Sequence, residues 1–315
     1  MTTCRELATD IGERVAGTAP PSARRWLLIE QRASWGAYAV KDIIPSDTLT
    51  ALGQWGISVL LIRRFNDRRA DGPGRMILSD ELKTSLVQWD FSDARNAALS
   101  FVAEGGTAPS DATPLAGPLM LVCTNGNRDA CCAVVGRNIL SQLSDSVMTQ
   151  RRTGPQSSTM PTDNEASVYE STHIGGHRFA GVTLLLPHGY VHQCKDAASA
   201  EIVLARAQAG FLELQGLRGQ AGLSSAAQLA EIAVRQRCQI DQLGVSVTTE
   251  ESTGPNDHII SASVADSPII TFRITTHEGQ PRPESCNGAA KPYRWLELHD
   301  FETTTFGSTH RGPHD

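Results

Sequence analysis

No stretch of the chain approaches the ~20 consecutive apolar residues that a membrane-spanning helix needs, so no membrane association is expected. Residues 1–15 mix charges with small residues around no apolar core, and do not read as a secretory signal. There is no strongly basic stripe, and the net charge is −6, which disfavours nucleic acid as a partner. Cys-x-x-Cys occurs nowhere, which argues against a thioredoxin-type disulfide reductase. Gly-x-Gly-x-x-Gly, phosphate-loop and nucleophile-elbow patterns are also missing, so nucleotide, flavin and acyl-transfer chemistry have no signature. Acidic pairs such as Glu250-Glu251 lack a partner at acid/base spacing, which leaves glycoside hydrolysis unsupported. No internal repeat of short period is visible.

The 315 residues are 40% hydrophobic and 20% charged, a globular composition long enough for two domains with sizeable cores. Seven cysteines without a signal segment read as thiols and metal ligands, not as a disulfide frame. A cytoplasmic location is the expectation that follows.

Two short motifs carry the chemistry. Cys-Thr-Asn-Gly-Asn-Arg-Asp-Ala-Cys-Cys spans residues 123–132, and Ser-Thr-His-Ile-Gly-Gly-His-Arg-Phe-Ala spans 171–180. Two thiols after an apolar run and two imidazoles four residues apart make a four-ligand set that suits zinc or iron–sulfur, not calcium or magnesium. The first thiol is Cys123. Cys131 and Cys132 are adjacent, their side chains diverge, and only one of them is expected at the same centre. His173 and His177 at that spacing would share a helical face. Gly175-Gly176 between them argue instead for a turn or a helix start, which also lets the backbone approach closely. Zinc on two Cys and two His is a direct competitor, although the spacing does not match common zinc fingers.

These two motifs together resemble the sucrase/ferredoxin-like family. Gly17-Thr18-Ala19, residues 26–30, Trp35-Gly36, Leu217-Arg218-Gly219 and residues 228–231 extend the resemblance over roughly residues 4–240, with a weaker echo at Ser285-Cys286. The resemblance implies a thioredoxin fold and a [2Fe–2S] cluster held by Cys123, Cys132, His173 and His177, with Cys131 packed in the core. It further implies a ferredoxin-like protein that passes one electron at a time between a reductase and an acceptor protein, with no substrate of its own. Zinc held by the same four residues in a structural or interaction module is the alternative.

Taken in order, residues 26–31 read as a buried strand, 43–56 as a helix begun at Pro45-Ser46-Asp47, and 57–63 as a second buried strand. Residues 66–74 form a loop, 76–78 a short strand, 91–104 a helix, and 105–118 a linker. Next come a strand at 119–123, a helix at 132–143, and a mobile insertion at 148–165 that is poor in apolar residues. Strands follow at 168–172, 179–186 and 190–194, with a turn at Pro187-His188-Gly189, then helices at 196–209 and 224–237. Strand-like segments at 245–249, 259–264, 269–275 and 293–298 precede a disordered tail. The fold class is therefore α/β. A thioredoxin-like half occupies residues 1–117, a thioredoxin-like ferredoxin domain 118–240, a small β-rich appendage 241–300, and the tail 301–315. Among the remaining candidates, Cys194 reads as a core thiol, His188 and His192 as exposed turn residues, and Cys4, Cys238 and Cys286 carry no assigned role. Arg128-Asp129 braces the first loop or meets a partner, and Arg218-Gly219 caps or pairs structurally.

Overall fold

A computed structural model of the chain describes residues 3–21, 23–65, 67, 74–153, 167–245, 247–253, 257–264, 269–286 and 288–304. The first part contains α1 (Cys4–Asp10), β1 (Arg25–Glu30), α2 (Ala39–Ile43), α3 (Ser46–Gln54), β2 (Ile57–Arg63), β3 (Gly74–Asp80), β4 (Ser85–Phe91), α4 (Ala94–Ala103) and β5 (Thr113–Pro114). It continues with β6 (Leu119–Cys123), α5 (Ala130–Thr153), β7 (Ser167–Ser171), a 3₁₀ turn at His177–Phe179, β8 (Val182–Leu186), β9 (Tyr190–Gln193), α6 (Ala197–Gln208), β10 (Leu217–Gln220) and α7 (Ser225–Cys238). The last part is all strand: β11 (Val247–Thr253), β12 (Asp257–Val264), β13 (Ile269–Pro283) and β14 (Ala290–Thr304).

The described residues thus form a mixed α/β protein of seven helices and two sheets. One sheet has ten strands in the order β10-β9-β8-β6-β7-β2-β1-β3-β4-β5, and the other is a four-stranded antiparallel meander, β11 to β14. Strands covered on both faces must be apolar along their whole length. β6 meets that requirement at every position, β8 at all but Thr183, and β1 at its four central ones. Parallel neighbours need a crossover. α2 and α3 supply it between β1 and β2, and α5 between β6 and β7.

Side chains alternate across a strand. Leu119, Leu121 and Cys123 therefore face one layer with Phe179, Ile174 and Ala221. Met120 and Val122 face the other, against Ile139, Leu140 and Leu143 of α5 and Val203 and Leu204 of α6. Helix α7 lays Ala226, Ala227, Ala230 and Val234 on Ile260, Ala262, Ile270 and Phe272 of the second sheet, joining it to the rest of the molecule. No helix among the described residues is long and apolar enough to cross a membrane.

Several elements differ from the sequence reading, each for a local reason. The helix read at 43–56 from a Pro45-Ser46-Asp47 start is α3, Ser46–Gln54, while Ile43 ends the separate short helix α2, because a residue before proline is driven out of the helical region. Ile44 is extended, with φ −97° and ψ 127°, and α3 restarts after Pro45. The helix read from 91 starts at Ala94, where Asp93 accepts the Asn96 N–H at 2.8 Å. Phe91 stays in β4, a strand hidden from the sequence by its polar, half-exposed residues. β10 was hidden by its Arg and Gly. The segment read as linker contributes the short β5. Helix α5 runs on to Thr153, so residues 148–153 of the expected insertion are helical, while 154–166 lie outside the described residues. His192 is not an exposed turn residue. It is fully buried in β9, which is paired on both edges. Residues 301–304 belong to β14 and not to a tail, and 305–315 lie outside the described residues.

Candidate metal centre

β6 and β7 are parallel and in register, with Cys123 beside Ser171 at their carboxyl ends. The Thr124 N–H donates to the Ser171 carbonyl at 3.1 Å, so the chain leaves both strands side by side. Two residues later His173 brings its Nδ1 to 4.0 Å from the Cys123 Sγ. Open α/β sheets place ligands in this position, beyond the carboxyl ends of adjacent strands.

The loop after Cys123 is held from two sides. The Asn125 side chain donates to the Gly36 carbonyl at 3.1 Å, and the Asn127 side chain donates to the Trp35 carbonyl. Asp129 starts α5 by accepting the Cys131 N–H at 3.0 Å. Helix α5 then lies directly on the end of β6. A Cβ at Gly136 would fall 2.2 Å from the Cys123 carbonyl oxygen, so only glycine permits the approach. Cys132, in the first turn of α5, is thereby set over Cys123. The ligand atoms of Cys123, Cys132 and His173 all lie within 4.8 Å of one another.

The histidine side is a turn, not a helical face. Gly175 and Gly176 have φ of 111° and 73°, values open to glycine, and the 3₁₀ turn follows at once. The His173 and His177 rings stack with centroids 4.8 Å apart. Arg218, fully buried, clamps this turn. Its guanidinium donates to the Gly175 carbonyl at 2.9 Å, to the Thr18 hydroxyl at 3.1 Å and to the Thr18 carbonyl. Its own carbonyl accepts the amides of Gly17 and Thr18 at 2.8 and 3.1 Å.

The electrostatics favour one thiolate. Hydrogen bonding from Cys132 holds the Cys123 thiol well below the ordinary thiol range; burial opposes this, and His173 and the Ile174 amide reinforce it. Cys132 is raised correspondingly, by that same bond and then by burial. Burial and the neighbouring His173 lower His177, which favours the neutral imidazole a metal requires. Burial and the adjacent Arg178 lower Arg218 to about 9, while Cys123, Glu13 and Cys132 pull the other way. Behind the loop a buried pair, Arg63 and Glu170 at 2.8 Å, receives the Thr124 hydroxyl at 3.0 Å.

Of the four expected ligands, Cys123, Cys132 and His173 form the tight group, and His177 joins through its ring stack. Cys131 points elsewhere, toward Cys4 and Cys286 at 3.7 and 3.3 Å. Cys194 is a core thiol near the Thr183 hydroxyl. Sequence reasoning missed the depth of Arg218 and the role of Gly136. The signal for Arg218 was present in the two outlying matches at 17–19 and 217–219, which meet in space. Gly136 sits at an unremarkable helical position and left no signal.

A family model described as sucrase/ferredoxin-like matches residues 15–213. No curated protein and no solved structure matches the chain.

Proposed function

The chain belongs to the sucrase/ferredoxin-like family, and from that premise we propose that it is a one-electron carrier whose Cys123, Cys132, His173 and His177 hold a [2Fe–2S] cluster. The observation that carries this reading is the convergence of two thiols and two imidazoles past the ends of β6 and β7. The residues fit such a group. Nδ1 of His177 is buried with no hydrogen-bond partner among the described residues, as a nitrogen reserved for a metal would be. Thiolate and imidazole are the donors such clusters use. When bound, the cluster takes up and gives back one electron.

The protein's own residues set the conditions. Arg218 brings a buried positive charge toward the Cys123 and Cys132 sulfurs. The Ile174 N–H faces the Cys123 sulfur. Hydrogen bonds and charge of this kind tune a centre's potential. A reductase and an acceptor protein in the cytoplasm are the proposed partners, and a reducing compartment suits seven unpaired thiols. A thioredoxin-like arrangement in 1–117 and again in 118–240, with 241–300 as an appendage, belongs to the same proposal.

Zinc in a structural module is the second reading, favoured by how closely Cys123, Cys132 and His173 are gathered. Iron, acid-labile sulfide and zinc assays on anaerobically purified protein separate the two. Two irons and two sulfides per chain are expected at this site, and a colourless protein with zinc there refutes the proposal.

A further inference from the structure

Three thiols outside this centre converge on one carboxylate. Cys4 opens α1, Cys131 lies in the first turn of α5, and Cys286 lies between β13 and β14. Their sulfurs form a triangle with sides of 3.7 Å (Cys4 to Cys131), 3.6 Å (Cys4 to Cys286) and 3.3 Å (Cys131 to Cys286). The Asp129 Oδ1 lies 3.8 Å from the Cys4 sulfur and 3.4 Å from the Cys286 sulfur. Asp129 is fixed by the N–H groups of Cys131 at 3.0 Å and Cys286 at 2.9 Å.

A tetrahedral zinc ion with Zn–S of about 2.3 Å holds its sulfurs roughly 3.8 Å apart, and a sulfur and a carboxylate oxygen roughly 3.6 Å apart. The three sulfur–sulfur sides and these two oxygen–sulfur distances match those separations within about half an ångström, and the Cys131 sulfur lies within 4.8 Å of the carboxylate. Iron–sulfur clusters are held by thiolates, with imidazole in Rieske centres, whereas zinc also takes a carboxylate oxygen beside sulfur. Buried cysteines also occur as small apolar residues. Here, however, Asp129 is 3% exposed and stands among three sulfurs, which is not an apolar setting. A single disulfide within the group would leave the third thiol without a partner.

We propose that Cys4, Cys131, Cys286 and Asp129 bind one zinc ion at a structural site separate from the first centre. Binding exchanges up to three thiol protons for the cation, with no change of oxidation state. Four protein ligands close the coordination shell, as structural zinc sites do. The ion would pin α1 and the β13–β14 segment to the start of α5. The next residue of that helix is Cys132, so the second site would brace a ligand of the first. Glu13 adds a parallel tie, pairing with Arg178 at 2.6 Å and with Arg282 of β13. This inference does not depend on which metal the first centre holds.

The test is zinc per chain in the full-length protein, purified without chelator, against the Cys4→Ser and Cys286→Ser variants. Each variant is expected to carry one zinc fewer than the parent and to keep the metal of the first centre. Unchanged zinc in both variants overturns the proposal. Independently of how the variants fold, the unmutated protein provides a second readout by iodoacetamide labelling and peptide mass spectrometry. Cys4, Cys131 and Cys286 should be protected together and become reactive together when a zinc chelator is added. Labelling of the three without chelator, or a Cys131–Cys286 disulfide peptide in freshly purified protein, overturns it as well.

Discussion

Gly136→Ala tests how α5 is seated on β6. In a helix interior, replacing glycine by alanine ordinarily gains about 1 kcal/mol. At Gly136 the added methyl would sit 2.2 Å from the Cys123 carbonyl oxygen and 3.2 Å from both the Cys123 carbonyl carbon and the Thr124 Cγ2. The first obstacle is backbone at the end of a fully buried strand, not a side chain that can rotate away. Relief requires the helix to retreat by roughly an ångström, and overpacking of this kind costs about 1–3 kcal/mol. The steric cost therefore exceeds the propensity gain, with a net loss reaching roughly 2 kcal/mol at the upper end. Retreat of α5 would also draw Cys132 away from Cys123, so metal retention at the first centre should fall with stability. Gly53, in α3, is the control, because an added Cβ there meets nothing within 4 Å. Gly53→Ala should stabilise by about 0.4–1 kcal/mol. Urea unfolding of both variants, with iron counted per chain, gives the comparison. If Gly136→Ala stabilises as Gly53→Ala does, the close seating of α5 on β6 is wrong.

Further outcomes follow from the same structure. Cys123→Ser and Cys132→Ser should each empty the first centre while Cys131→Ser keeps it, as iron and sulfide assays of the three variants would record; loss of iron in Cys131→Ser alone would reverse the ligand assignment. His173→Cys or His177→Cys, where a cluster is retained, should lower the reduction potential and weaken its fall with pH, because an anionic thiolate replaces a neutral imidazole that keeps a titrating nitrogen; film voltammetry across the pH range measures both. Stability should depend on pH through two buried groups of opposite sign. His192 donates from Nε2 to the Glu213 carbonyl at 2.9 Å, and burial lowers its pKa to about 4, so its contribution is complete above about 6.5 and lost as pH falls toward 4. Burial raises Glu81 to about 7 against the pull of Arg24, so its contribution is complete at low pH and lost as pH rises through 7. The two offset each other, and Glu81→Gln should expose a fall of about 1.4 kcal/mol per pH unit between pH 6 and 5 in urea unfolding; a flat profile in that variant would contradict the burial of His192.

The parts of the fold legible in the sequence were those where one physical requirement dominated. Residues 119–123 and 182–186 are buried on both faces, and their apolar runs, broken only by Thr183, announced the central strands. The grouping of the four candidate residues was legible because each pair is local, with Cys123 and Cys132 flanking one loop and His173 and His177 one turn. β4 and β10 were not legible, since Gln88, Asp90, Arg218 and Gly219 give no apolar alternation. His192 misled because its polarity suggested exposure, whereas β9 pairs on both edges and the ring meets a carbonyl inside. Cys4, Cys131 and Cys286 could not be grouped from spacing, because 127 and 155 residues separate the neighbours that fold together. Asp129 was read as a loop brace or a partner contact; it braces the loop and also faces those sulfurs.

The central claim concerns what Cys123, Cys132, His173 and His177 hold. Electron paramagnetic resonance of the reduced, anaerobically purified protein, prepared with and without ¹⁵N-labelled histidine, addresses it most directly. A [2Fe–2S] centre on these residues should be silent when oxidised and paramagnetic after one-electron reduction. Its signal should carry nitrogen couplings that change with the label and diminish in His173→Cys and His177→Cys. A protein that stays silent after reduction while zinc fills the site would contradict the account, because zinc has no redox chemistry.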